Sequence, residues 1–137
     1  MSTRNFALIF GIVFLLAGIA GFIPQLLQPP QGGAVAPPGA HHMLLLGLFP
    51  VNPLHNIVHL LFGLWGLAAS RSGAQALLYA RGVAIIYAVL TVAGFIPSLD
   101  DLFGLVPLYG NDIWLHLALA IVAAYFGWVN RSPSAAT

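Results

Sequence analysis

Four residues in this 137-residue chain combine ligand chemistry with regular spacing: His55 and His59, then Asp112 and His116. Within each pair the two residues stand four apart, which on a helix places both side chains on one face. Three imidazoles and one carboxylate suit zinc or another first-row divalent metal. His59 and His116 also suit a second chemistry, as axial ligands to haem or single ligands to a chlorophyll-type pigment. A plainer role competes with both. His and Asp near a membrane surface can satisfy orphan backbone groups of neighbouring loops, and an Asp at a helix start is favoured by the helix dipole. The other two loop histidines, His41 and His42, read as solvated residues rather than ligands.

Composition removes most other chemistry. The chain is 60% hydrophobic and 5% charged, whereas about a quarter of the residues of a soluble domain are charged. Its charges are Arg4, Arg71, Arg81 and Arg131 against Asp100, Asp101 and Asp112, with no Lys, Glu or Cys. Without Lys there is no Schiff base to a carbonyl cofactor. Without Cys there is no disulfide, thiolate zinc site, iron–sulfur cluster or thiol nucleophile. A net charge of +1 gives no electrostatic footprint for nucleic acid. Neither a Gly-x-Ser-x-Gly elbow nor a phosphate-binding loop is present, and no charged residue stands at mid-span, where ion-coupled transporters carry theirs. The chain therefore reads as a non-enzyme before it reads as a hydrolase or pump.

The elements that must position the four residues are membrane spans. About 20 mostly apolar residues cross a bilayer, and four segments qualify: Asn5 to Leu27, Pro53 to Ser70, Ala80 to Pro97, and Asp112 to Asn130. Pro and Gly punctuate the breaks, above all in the stretch from Gln28 to Gly39. The short apolar segments Met43 to Phe49 and Leu102 to Leu108 are too short to span and are expected to fold over the outer end. Arg4, Arg71, Arg81 and Arg131 all fall on one side of this arrangement and the three Asp on the other. Arginine is retained in cytoplasmic loops, so both termini are expected in the cytoplasm and the His/Asp cluster on the outer side.

The halves of the chain match. Setting Pro50 against Pro107 brings His59-Leu60 onto His116-Leu117, His55 onto Asp112 and Gly47-Leu48 onto Gly104-Leu105. Ala20-Gly21-Phe22-Ile23-Pro24 recurs as Ala93-Gly94-Phe95-Ile96-Pro97. The expected architecture is an all-α four-helix bundle forming one domain over 1–137. It consists of two tandem two-helix repeats, about residues 5–70 and 80–130, related by a pseudo-two-fold axis along the membrane normal.

The run Gly47-Leu48-Phe49-Pro50-Val51-Asn52-Pro53-Leu54-His55-Asn56-Ile57-Val58-His59-Leu60, flanked by Gly-Phe-Ile-Pro and Leu115-His116-Leu117, resembles an uncharacterised family of small four-span bacterial membrane proteins, a domain of unknown function. The resemblance covers roughly Phe6 to Gly127. It implies a bacterial plasma membrane and supplies no activity. Two functional expectations follow. One is an accessory or scaffolding subunit of a larger membrane assembly, such as an energy-converting or photosynthetic complex, with lipids and other membrane subunits as partners. The other is a cofactor protein whose outer site holds a divalent metal, a haem or a chlorophyll-type pigment.

Overall fold

A computed structural model describes residues 1–30 and 42–130 of the chain; His41, Arg131 and most of the Pro/Gly-rich stretch lie outside the described residues. Four helices dominate: α1 (Thr3–Ala20), α2 (Pro53–Ala69), α3 (Gly73–Gly94) and α4 (Asn111–Ala124). The last runs on through a π-helical turn, Tyr125–Val129. Three of these helical stretches are long and apolar enough to cross a membrane, and α2 is a shorter apolar helix. The chain has the architecture of an all-α membrane protein.

Local chemistry sets the helix ends. Ser2 caps α1 by accepting from the Asn5 N–H, and Asn52 caps α2 by accepting from the His55 N–H at 2.8 Å, with Pro53 in the first turn. Helix α1 stops at Ala20, short of the expected Leu27. Pro24 explains this. It has no N–H to give and forces Ile23 out of the helical region, to φ −92° and ψ 108°. Helix α3 starts at Gly73, ahead of the expected Ala80, because Ala76, Tyr79 and Ala80 are buried and already bind its first turns to the bundle.

Helix α1 packs chiefly on α2, and α3 on α4. The first pair meets backbone to backbone: a Cβ on Gly66 would stand 2.7 Å from the Gly11 Cα and 2.8 Å from the Ala7 carbonyl oxygen. In lipid, close approach of this kind supplies the van der Waals contact that holds helices together. The core between the pairs is aromatic, with Phe6, Phe14, Tyr79, Tyr87 and Phe126 buried around Val83. Large apolar side chains such as Leu16, Leu61, Leu64, Ile85, Val89 and Ile121 lie on the outside. That is the surface a bilayer covers.

The expected short apolar segments take unequal forms at the loop end of the bundle. The first builds a small antiparallel sheet, β1 (Leu27–Gln28), β2 (Met43–Leu45) and β3 (Phe49–Val51), in the order β1-β2-β3. The sheet gives the backbone of this segment partners that lipid cannot offer. The second, residues 102–108, is a chain of turns closed by Leu108 N–H to the Asp100 carbonyl at 2.7 Å. The first segment turns through a left-handed pair, Leu46-Gly47 (φ 54° and 71°), and the second through a run of three, Leu102-Phe103-Gly104 (φ 45°, 62° and 83°). The segments are also cross-linked. Asn52 donates to the Leu105 carbonyl at 2.8 Å, and Asn111 donates to the Leu48 carbonyl at 3.2 Å.

Candidate buried metal site

Helices α2 and α4 both begin beneath this cross-linked cap, and their first turns carry the candidate residues. Asn52 fixes the start of α2, so His55 enters from the first turn and His59 from the next. Asn111 opens α4, placing Asp112 in its first turn and His116 one turn deeper. All four are buried: His55 at 3% exposure, His59 at 8%, Asp112 at 1% and His116 at 1%.

The structure brings three of them together. One ligand atom each from His55, Asp112 and His116 lie within 4.8 Å of one another. His116 Nε2 stands 3.3 Å from Asp112 Oδ2, about the edge of a tetrahedron with ligand bonds of roughly 2.0–2.1 Å. His59 is not in this set. Its ring stacks beside that of His55, with centroids 4.5 Å apart, and reaches toward Phe14 at 5.7 Å.

Polar accounting is where the site stands out. Apart from the 3.3 Å contact between His116 and Asp112, the buried atoms His55 Nδ1, His59 Nδ1, Asp112 Oδ2 and both ring nitrogens of His116 have no hydrogen-bond partner among the described residues. A neutral imidazole carries one N–H and one lone pair, each of which needs a partner when buried. Each buried group left unsatisfied costs about 1–3 kcal/mol, and folded domains hold only about 5–15 kcal/mol in total. One cap carbonyl, that of Pro50, faces the His55 ring; among the described residues these atoms of His59, Asp112 and His116 have no such acceptor or donor within hydrogen-bond geometry. A bound cation would satisfy several at once.

The surroundings are buried and aromatic. Tyr87 of α3 packs edge-on to His116 with centroids 4.9 Å apart, and the ring of His55 lies 6.2 Å from that of His116. Sequence reading missed Tyr87 as a wall of the site. Tyr79, Tyr87 and Thr91 stand eight and four residues apart, a spacing that puts them on one helix face, and that pattern was the available signal. It also missed Asn56, buried at 2% exposure, which donates to the Gly21 carbonyl at 2.7 Å and locks α1 to α2 beside the site.

His42, expected as a solvated loop residue, is instead buried and hydrogen-bonded to the Tyr109 hydroxyl. This contact ties the sheet to the second loop above the site. Burial, followed by the nearby Asp100 and Asp101 charges, pushes the Tyr109 phenol up to about 12. The hydroxyl therefore keeps its proton through the physiological range.

A family model described as a domain of unknown function, DUF4383, matches residues 4–129. No curated protein and no solved structure matches the chain.

Proposed function

The chain belongs to the DUF4383 family of unknown function, and on that premise we propose that it is a metal-binding membrane protein holding one first-row divalent ion between α2 and α4. His55, Asp112 and His116 supply two imidazoles and a carboxylate, a donor set suited to zinc, iron, cobalt or nickel rather than to magnesium or calcium. The observation that carries the reading is His116, fully buried 3.3 Å from Asp112, with neither ring nitrogen hydrogen-bonded among the described residues. His59 lies beside His55 as the neighbour that orients it. Of the two expectations drawn from sequence, the cofactor reading is the one these buried donors favour. Within it, metal is favoured over tetrapyrrole. The rings of His59 and His116 are closed in by Phe14 and Tyr87, and a macrocycle would have to displace these side chains.

We place the site on the outer side of a bacterial plasma membrane, in a four-span bundle with cytoplasmic termini. Arg4, Arg71 and Arg81 at the opposite end support this orientation. At 17 residues, α2 is about 25 Å long, which a modest local thinning of the bilayer accommodates.

We also read the chain as two tandem repeats. Support comes from features separated by 57 positions: the left-handed residues Leu46-Gly47 and Phe103-Gly104, and the accepting carbonyls of Leu48 and Leu105. At the other end, Arg4 Nε donates to the Ser70 carbonyl and Arg81 Nε to that of Gly127, two acceptors with the same separation. Gly21 packs against Asn56 as Gly94 packs against Ile113. On this reading the metal lies near the pseudo-two-fold axis, where the two halves contribute different ligands from equivalent helix starts.

The test is a Co²⁺ titration of the detergent-purified full-length protein. One equivalent should bind with visible d–d absorption and be displaced by Zn²⁺. His116→Leu should abolish the signal, and retention of the full signal in that variant would sink the proposal.

A further inference from the structure

We propose that the groove between α3 and α4 holds one acyl chain of an anionic phospholipid, with the lipid phosphate seated on Arg81. The groove encloses about 460 Å³ and is almost wholly apolar, lined on one wall by Ile85, Ala88 and Val92 and on the other by Leu117, Ile121 and Trp128. The α3 residues recur at three- and four-residue steps and the α4 residues at four- and seven-residue steps, both the spacings of one helix face. Arg81 stands one turn before Ile85 on the same face of α3, at the end of the groove where Trp128 closes the α4 wall.

Three features assign a phospholipid to this groove. The first is length. Leu117 and Trp128 are eleven residues apart, which at about 1.5 Å per residue gives a groove roughly 16 Å long. One leaflet of hydrocarbon is about 15 Å deep, so the groove takes an acyl chain lying parallel to the helices. The second is charge. Arg81 is the basic group at its mouth, exposed and able to meet a phosphate.

The third is preparation of that guanidinium. Its Nε donates to the Gly127 carbonyl at 2.9 Å, and its carbon lies 5.5 Å from the centre of the Trp128 ring. The π-helical turn Tyr125–Val129, closed by Asn130 N–H to the Tyr125 carbonyl at 2.8 Å, leaves the Gly127 oxygen for Arg81. Held on one edge by Gly127 and on one face by Trp128, the guanidinium keeps its terminal amino groups for a phosphate oxygen. A Trp beside an Arg at this depth is also the pairing expected at a headgroup boundary.

This inference is independent of the metal site, which lies at the other end of the bundle. Its test is native mass spectrometry of the full-length protein with equal phosphatidylglycerol and phosphatidylcholine, for wild type, Arg81→Gln, Arg81→Lys and Ala88→Phe. Wild type should retain one phosphatidylglycerol in preference to phosphatidylcholine. Arg81→Gln should cut that preference about fivefold, the factor for one basic group at an anionic surface, and Arg81→Lys, which keeps the charge but not the fork held by Gly127 and Trp128, should keep only part of it. Ala88→Phe fills the groove without touching the charge, and should lose the bound lipid while keeping wild-type helicity and metal content. Equal retention of both lipids by wild type would overturn the proposal, as would an Ala88→Phe variant that still retains phosphatidylglycerol. Disulfide formation between Ala88→Cys copies in native membranes would overturn it too, assigning the groove to a second copy of the chain.

Discussion

Asp112→Asn separates a metal ligand from a structural carboxyl by the sign of its effect. Asp112 is 1% exposed, its Oδ2 lies 3.3 Å from His116 Nε2, and that oxygen has no hydrogen bond among the described residues. With a divalent ion in place, the carboxylate is the only anionic ligand of the set and neutralises part of the ion's charge. Its loss should weaken binding enough to remove the ligand-linked stability. For wild type at a free metal concentration a hundred times Kd, that increment is about 2.7 kcal/mol. In a strong chelator the argument reverses. The buried carboxyl faces His116 at 3.3 Å without hydrogen-bond geometry, an unfavourable arrangement, and an amide of the same shape can donate across that gap to His116. Thermal unfolding in detergent, followed by circular dichroism with Zn²⁺ and then with chelator, reads both arms. The Asp112→Asn variant should be less stable than wild type with Zn²⁺ and equally or more stable in chelator. A loss of the same size in both conditions would refute the reasoning and make Asp112 a structural residue.

Other outcomes follow from the same geometry. Gly66→Val should destabilise the α1–α2 pair by about 1–3 kcal/mol, since its Cβ meets backbone atoms that cannot move aside cheaply; unchanged thermal stability would contradict the packing described. Asn52→Ala removes both the α2 cap and the bond to the Leu105 carbonyl. It should cost about 2 kcal/mol and speed hydrogen exchange at the start of α2. Acidification should progressively reduce the Zn²⁺-dependent part of the stability, because imidazole binds metal neutral and carboxylate binds it ionised; a Zn²⁺ increment that grows as the pH falls would count against these ligands. The chain has no cysteine, so single-cysteine labelling of intact cells reports topology cleanly. Ser98→Cys should label with an impermeant maleimide and Gln75→Cys should not, and the reverse pattern would invert the orientation.

Much of the helical framework was legible because its signals are local. Asn52-Pro53 announces the start of α2, and apolar runs free of charge mark the spans. The four-residue spacing of His55 with His59 and of Asp112 with His116 was visible for the same reason. What spacing could not give is rotation between helices. The set that shares ligand distance is His55, Asp112 and His116, and His59 is turned toward Phe14 by the way α1 packs on α2. Helix ends were misplaced where one residue outweighed hydropathy, as Pro24 does for α1. The sheet was missed because β2 and β3 are three residues each, too short for an alternating pattern to register. Its order comes from pairing across the loop. His42 was misread because its partner, Tyr109, lies 67 positions away.

X-ray absorption at the metal edge of protein purified from membranes, without added metal or chelator, tests the central claim most directly. The account predicts about one first-row divalent ion per chain. Its first shell should show two imidazole nitrogens and a carboxylate oxygen at roughly 2.0–2.2 Å, with one imidazole lost in His55→Leu. A protein that carries no stoichiometric metal and takes up none on titration would contradict it, as would an edge spectrum left unchanged by His55→Leu.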